Sequence, residues 1–220
     1  MSINVFCIVA KTGAGKSEYL KRIISDKNFI NKFNLKMLTY GTTRKKREGE
    51  VNGIDYYFHT KDEFHNIPRE DLIEVRSYFM INDGEVEYFT KKEYFETESN
   101  ILCITSPYQF ENYRNWISKQ NILYKNKYNL NLIIIDTSLE NRLLRSVKRL
   151  KNKNDKDILE ICRRLIEEAV EYDNVASKVP ELIDPMTSTN TCFINNDNEG
   201  DQYIEENISI IKEFIRRRIK

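Results

Sequence analysis

An α/β fold, a parallel sheet covered by helices on both faces, is what this sequence predicts, and three observations predict it. Short runs that are nearly all apolar and rich in β-branched residues occur at residues 3–10, 101–105 and 130–136, with 192–195 a weaker fourth. Runs with no polar face belong to strands buried on both sides. Helical periods lie between them, and strands that alternate with helices build parallel sheets. Composition agrees, because 40% of the 220 residues are apolar and 31% charged, a globular balance with enough chain for a sizeable core.

The elements follow in order. Residues 10–17, AKTGAGKS, leave the first strand and open a helix that continues YLKRII. From Met37 to Thr90 the rhythm breaks: turn signals (Gly49, Asn52-Gly53, Asp83-Gly84) separate short alternating runs at 72–79 and 85–90, read as small antiparallel strands. This stretch is expected to be an inserted substrate-binding subdomain. After Pro107, the residues Phe110, Tyr113, Ile117 and Tyr124 share one helical face. Leu139, Leu143, Val147 and Leu150 form a second face, and Ile158, Ile161, Cys162, Leu165, Ile166 and Ala169 a third. KNKNDKD, residues 151–157, reads as a loop between two helices. Ile204, Ile208, Ile211 and Ile215 make a last helix, whose closing Arg216–Arg218 suits a helix C-terminus.

The charge balance narrows the function. With 35 basic and 34 acidic residues the net charge is +1, which argues against a dedicated nucleic-acid binder. The apolar run at 3–10 is too short to span a bilayer, has no basic segment before it and no signal-peptidase site after it, so no membrane role is expected. Four scattered cysteines (Cys7, Cys103, Cys162, Cys192) form no CxxC pair, so neither a disulfide framework nor a zinc site is indicated. A reduced, cytoplasmic enzyme is the expectation.

The chemistry begins at AKTGAGKS. Successive backbone N–H groups of such a loop point inward, and the following helix N-terminus adds positive potential, so together they hold an anion. Ala10, Lys11, Thr12, Gly13, Ala14, Gly15, Lys16 and Ser17 are therefore the expected ATP-binding set. Gly13 and Gly15 let the backbone approach phosphates, Lys16 neutralises β/γ charge, and the Ser17 hydroxyl ligates Mg2+. Ala10 stands where this P-loop pattern has its first glycine, and fits if its backbone stays at negative φ. GTPases, ATPases and small kinases share such loops, within a three-layer P-loop NTPase fold.

The next motif chooses among them. TTRKKREGEVNGIDYYF, residues 42–58, resembles the signature of the guanylate kinase family, with Thr42-Thr43-Arg44, Arg47, Gly49-Glu50-Val51-Asn52-Gly53 and Asp55-Tyr56 in register. Guanidinium forks and a phenol suit a monophosphate dianion, so Arg44, Arg47 and Tyr56 are expected at GMP. Leu72-Ile73-Glu74 and Tyr88-Phe89-Thr90 are similar to two further family elements. The resemblance implies that Glu74 accepts from guanine N1–H and the exocyclic amine, that Thr90 bonds the other ring edge, and that Tyr88 reaches the monophosphate. It also implies that Lys16 and Arg44, with Arg145, Arg149 and Arg164 of a mobile lid, stabilise the transferring phosphoryl group, and that Asn196-Asp197 sit near the adenine of ATP. Arg142 lies on the same stripe as Arg145 and Arg149 and shares the expectation of facing a polyanion, with a solvated position as the alternative.

The implied layout is a core of residues 1–36, 97–137 and 178–220, an NMP-binding insert of 37–96 and a lid region of 138–177. Tyr40, Phe89, Cys103 and Thr105 depart from the family pattern, three of them expected to surround the base end and Cys103 and Thr105 lying on a strand that usually ends in acids. Asp136, ending a strand that feeds the lid, is not assigned to metal, and His59 and His65 are read as surface residues. The expected reaction is MgATP + (d)GMP → ADP + (d)GDP, with small-molecule nucleotides as partners and neither nucleic acid nor membrane among them. Two rivals stay open: the same fold acting on another, modified deoxynucleotide, and a catalytically silent module that binds a protein.

Overall fold

β1 (Ile3–Ala10) runs through the centre, and from Val5 to Ala10 every one of its side chains is buried. Around it, in chain order, come α1 (Lys16–Ser25), α2 (Lys27–Lys32), β2 (Leu35–Met37), β3 (Gly41–Thr42), β4 (Tyr57–Phe58), α3 (Lys61–His65), β5 (Leu72–Met80) and β6 (Gly84–Lys91). Then follow β7 (Asn100–Thr105), α4 (Pro107–Leu123), β8 (Tyr128–Asp136), α5 (Leu139–Lys148), α6 (Asp155–Ala176), β9 (Thr191–Asn195) and α7 (Asp201–Arg218). The computed structural model describes residues 2–80, 84–150, 155–176, 178–182, 184–185, 188–198 and 200–219.

Among the described residues the central sheet has five strands in the order β2-β7-β1-β8-β9, every pair parallel. Alternation along β1 divides the core in two. Phe6, Ile8 and Ala10 face α1 and α7, meeting Tyr19, Ile23, Ile208, Ile211 and Ile215. Val5, Cys7 and Val9 face the other way, toward Phe110, Tyr113 and Ile117 of α4. Side chains this buried contribute on the order of 1.5–3 kcal/mol each, so the middle layer holds both outer ones. This is the three-layer α/β arrangement that the P-loop motif implies. Cys7 and Cys103, neighbours in register on β1 and β7, bring their sulfurs to 3.3 Å as free thiols.

The insert forms a separate mixed sheet, β4-β3-β6-β5, in which β3 pairs parallel with β4 and antiparallel with β6. The chain enters it after β2 and leaves it before β7, and those two strands lie side by side, Leu35 opposite Asn100 and Met37 opposite Leu102. Gly49 and Gly53 adopt φ of 83° and 81° in the hairpin, a region open to glycine at little cost.

Three helical expectations change. On α4, Phe110, Tyr113 and Ile117 are buried, but the helix ends at Leu123 and Tyr124 is 61% exposed. On α5 the buried residues are Arg142 and Ser146, while Leu139 and Leu143 face solvent, because the polar side of this helix packs on the P-loop. Of the polar 151–157 stretch, residues 151–154 lie outside the described residues and Asp155 to Asp157 already form the first turn of α6.

Candidate active site

The P-loop is shaped by two glycines. Gly13 and Gly15 hold φ of 82° and 96°, and Ala10 keeps ordinary strand backbone as the last residue of β1, so its lack of a glycine causes no strain. A Cβ added at Gly13 would stand 2.5 Å from the Arg142 carbonyl oxygen, so α5 presses directly on the loop. Asp26, Thr60, Ser106 and Ser138 cap the N-termini of α2, α3, α4 and α5 with side-chain oxygens, whereas α1 starts at left-handed Gly15 without a side-chain cap. Its leading amides are left for a ligand.

A protein carboxylate meets this anion site. Glu168 of α6 accepts from the Thr12 backbone N–H at 2.5 Å and from Thr12 Oγ1 at 3.1 Å. Arg142 Nη1 lies 3.6 Å from its Oε2 and Lys16 Nζ 3.9 Å from its Oε1. Lys16 also donates to the Ala10 carbonyl. Burial pulls the Lys16 ammonium below its ordinary range, partly opposed by Glu168 and Glu171. Helix α6 is thus seated on the loop, reinforced by the Tyr108 N–H donating to Glu171 at 3.0 Å and by Lys11 over the Tyr172 ring.

A cleft of about 550 Å³ opens between loop and insert, a size suited to small ligands. Thr12, Lys16 and Ser17 line its core side, and Arg47, Tyr56 and Tyr88 its insert side. Arg44, expected among them, is 3% exposed and turned inward: Nη2 donates to Glu50 at 2.7 Å, Nε to the Tyr88 hydroxyl at 3.1 Å and Nη1 to the Lys45 carbonyl at 2.8 Å. Glu50 is held below the usual carboxylate range by this guanidinium.

The base end departs furthest from expectation. Glu74 is 1% exposed and does not line the cleft; its Oε1 accepts from Thr90 Oγ1 at 2.8 Å and from Gln109 Nε2 at 3.0 Å. Burial raises its carboxyl above the ordinary range. Thr90, fully buried and also bonded to the Tyr113 hydroxyl, orients that carboxylate instead of meeting a ligand. Tyr40, Arg76, Tyr78, Thr105 and Gln109 occupy the cleft wall. Tyr40 donates its hydroxyl to the Ile104 carbonyl at 2.5 Å. Phe89 and Cys103 do not surround the base end: Phe89 fills the space over Gly41 on the opposite face, against Phe64 and His59, and Cys103 is in the core. His59, expected at the surface, is half-buried there, and burial pushes its imidazole down.

The arginine stripe divides. Arg142 is buried and reaches the Thr137 carbonyl at 3.2 Å. Arg145 donates to the Asn196 carbonyl at 2.8 Å and does not line the cleft, and Arg149 is exposed away from it. Arg164 does line it, together with Arg163, both bonded to Glu160. Asn196 is a strut behind the loop, donating to the Ala14 carbonyl at 2.9 Å and accepting from the Tyr19 hydroxyl at 2.7 Å. Asp197 caps α5 through the Ser138 N–H, and Asp136 is exposed at the end of β8.

Arg76, Tyr78, Gln109, Arg163 and Glu168 are the site residues that sequence reasoning missed. Counting by twos from Glu74 along the alternating run finds Arg76 and Tyr78; Arg163 adjoins Arg164. No local pattern marks Glu168.

The guanylate kinase family profile matches residues 2–98. The guanylate kinase of Mycoplasmoides gallisepticum is 30% identical over 167 residues, covering 76% of this chain and 76% of that protein. The guanylate kinase of Mycoplasma genitalium is 33% identical over 176 residues, 78% of this chain and 65% of its own length. That of Mesoplasma florum is 28% identical over 183 residues, 82% of this chain and 59% of its own. This chain thus spans about three-fifths of the length of several curated relatives. The guanylate kinase structure from Anaplasma phagocytophilum superposes with a TM-score of 0.54 at 18% identity, covering 99% of this chain and 87% of that one, a likeness of fold. The matched stretch holds both the P-loop and the arginine hairpin, and with a relative aligned over three-quarters of either partner, the chain belongs to the guanylate kinase family.

Proposed function

We propose that the protein transfers the γ-phosphoryl group of ATP to GMP or dGMP, giving ADP and GDP or dGDP. The observation that carries this reading is that two phosphate-binding sets, Thr12-Lys16-Ser17 and Arg47-Tyr56-Tyr88, line one cleft from opposite sides. Phosphoryl transfer is mostly positioning and charge stabilisation, so two facing cradles in one space are what it needs. Lys16 holds the β/γ oxygens of the donor. Arg47 and the Tyr56 and Tyr88 hydroxyls hold the acceptor phosphate, with Arg44 fixing Tyr88 from behind. Arg163 and Arg164, on the lid helix, bring donors to the same space. The exposed Ser17 hydroxyl fits as one oxygen ligand of the Mg2+ that accompanies ATP, the others coming from phosphates and water. The bound ion would supply neutralisation of phosphate charge.

A second reading, the same reaction on a different base, is favoured by one observation: Glu74 is covered while Tyr40 and Arg76 meet the cleft. An ADP-release assay over GMP, dGMP, AMP, dTMP and dUMP separates the two. Turnover of GMP or dGMP above the others is expected, with Lys16→Ala lowering kcat by about 10²–10³-fold. Turnover of none, or a Lys16→Ala variant within threefold of the unaltered chain, removes the reading.

A further inference from the structure

Alternation along β5 turns Glu74, Arg76, Tyr78 and Met80 to one face of the strand, and the last three line the cleft. Arg76 Nε stands 3.7 Å from Glu74 Oε2. Both atoms are buried, and neither has a hydrogen-bond partner. Glu74 Oε1 is already occupied by Thr90 and Gln109, so this carboxylate turns its open oxygen to Arg76. The guanidinium carbon lies 5.4 Å from the centre of the Tyr78 ring, which supports it from the neighbouring cleft position. Nε is thus directed at Glu74, and of the guanidinium's donors it is the terminal Nη groups that remain to meet a ligand in the cleft this residue lines.

We propose that Arg76 is a specificity-determining residue of the acceptor site, donating from its guanidinium to a ring carbonyl of the nucleobase, O6 in the case of guanine. The inference rests on the kinase reading above and names the group that reads the base. One argument favours a carbonyl over a phosphate, and a second favours guanine over adenine. The Glu74 carboxylate offsets the charge of Arg76, leaving directed N–H donors more than net positive charge. Arg76 also offers donors and no acceptor. Adenine carries an amine where guanine carries O6, so in adenylate a donor would face a donor. Glu74 is then a positioning residue, holding the guanidinium from behind.

The full chain is assayed with GMP and with 6-thio-GMP, in which sulfur, a weak acceptor, replaces O6. Arg76→Met keeps the aliphatic stem on Tyr78 and removes every donor; Arg76→Lys keeps one donor. The unaltered chain is expected to show a KM about tenfold lower for GMP than for 6-thio-GMP. Arg76→Met should raise the GMP KM about tenfold and equalise the two nucleotides within about twofold, with kcat within about threefold and the ATP KM unchanged. Arg76→Lys should restore part of the preference. A folded Arg76→Met that retains the preference, or that loses kcat at constant KM, overturns the assignment and leaves the kinase reading intact. Equal KM values in the unaltered chain overturn it as well, with no variant needed. Turnover of neither nucleotide by the unaltered chain overturns the kinase reading itself.

Discussion

The P-loop and the arginine hairpin each hold a carboxylate of the chain itself, but the two carboxylates come from different distances. At the arginine hairpin Glu50 reaches Arg44 from six positions away. At the P-loop Glu168 comes from α6, 156 positions beyond Thr12, and is held by Thr12, Arg142 and Lys16 together. A local carboxylate yields by turning one side chain. Glu168 is carried on a 22-residue helix, so under the proposed reading a donor phosphate would compete with the seating of α6 on the loop. On the proposed reading, donor binding would be tied to the position of α6, and acceptor phosphate binding would be a matter internal to the hairpin.

The comparison breaks most readily at Glu168. Glu168→Gln removes the negative charge that competes with phosphate, and ATP should bind about tenfold tighter, a change of about 1.4 kcal/mol. GMP affinity should stay unchanged, and calorimetry with each nucleotide reads both. Weaker ATP binding in this variant would mean that Glu168 supports the loop and does not compete with the ligand. Glu50→Gln tests the other side: GMP affinity should move by less than about threefold, because neither Arg44 nor Glu50 lines the cleft and Arg44 keeps its bonds to Tyr88 and the Lys45 carbonyl. Equal effects of the two variants on their own ligands would erase the distinction.

The smallest effects are on stability against pH, and they have opposite signs at the two ends. Burial raises the Glu74 carboxyl above its ordinary 4.5, so the folded chain holds that proton more tightly than the unfolded one. Stability from this group is full below pH 4.5 and is lost as pH rises through the folded value. Burial lowers Lys16 from its ordinary 10.5, so the folded chain holds that proton less tightly. Its contribution therefore rises with pH between the lowered value and 10.5. Urea melts across pH should show Glu74→Gln flattening the acidic slope alone and Lys16→Met the alkaline slope alone.

What could be read in advance divides along similar lines. The P-loop was legible because its shape is made by backbone: glycines at 13 and 15 between a buried strand and a helix leave little freedom. The central strands were legible because each is apolar on both faces. Helix α5 presents the opposite face from the one periodicity predicts, because periodicity follows the apolar stripe, Leu139 and Leu143, whereas the neighbour it packs on is a polar loop that takes Arg142 and Ser146. The base end was legible only by resemblance, which named Glu74 and passed over Arg76 two residues later. Whether a side chain meets a cleft or lies beneath its neighbour is decided by tertiary packing, and Thr90, Gln109 and Arg76 decide it for Glu74. Glu168 could not be found at all, since α6 finds the P-loop only when the whole chain is folded.

The insert leaves after β2 and returns before β7, and those strands are immediate neighbours in the sheet. The two strands are parallel, so the chain departs at the C-terminal end of β2, where Met37 faces Leu102, and re-enters at the N-terminal end of β7, where Asn100 faces Leu35; the two tethers are offset along the strands as well as across them. A swing of the insert as one body would strain both tethers at once, and would shift Arg47, Tyr56 and Tyr88 together relative to Lys16.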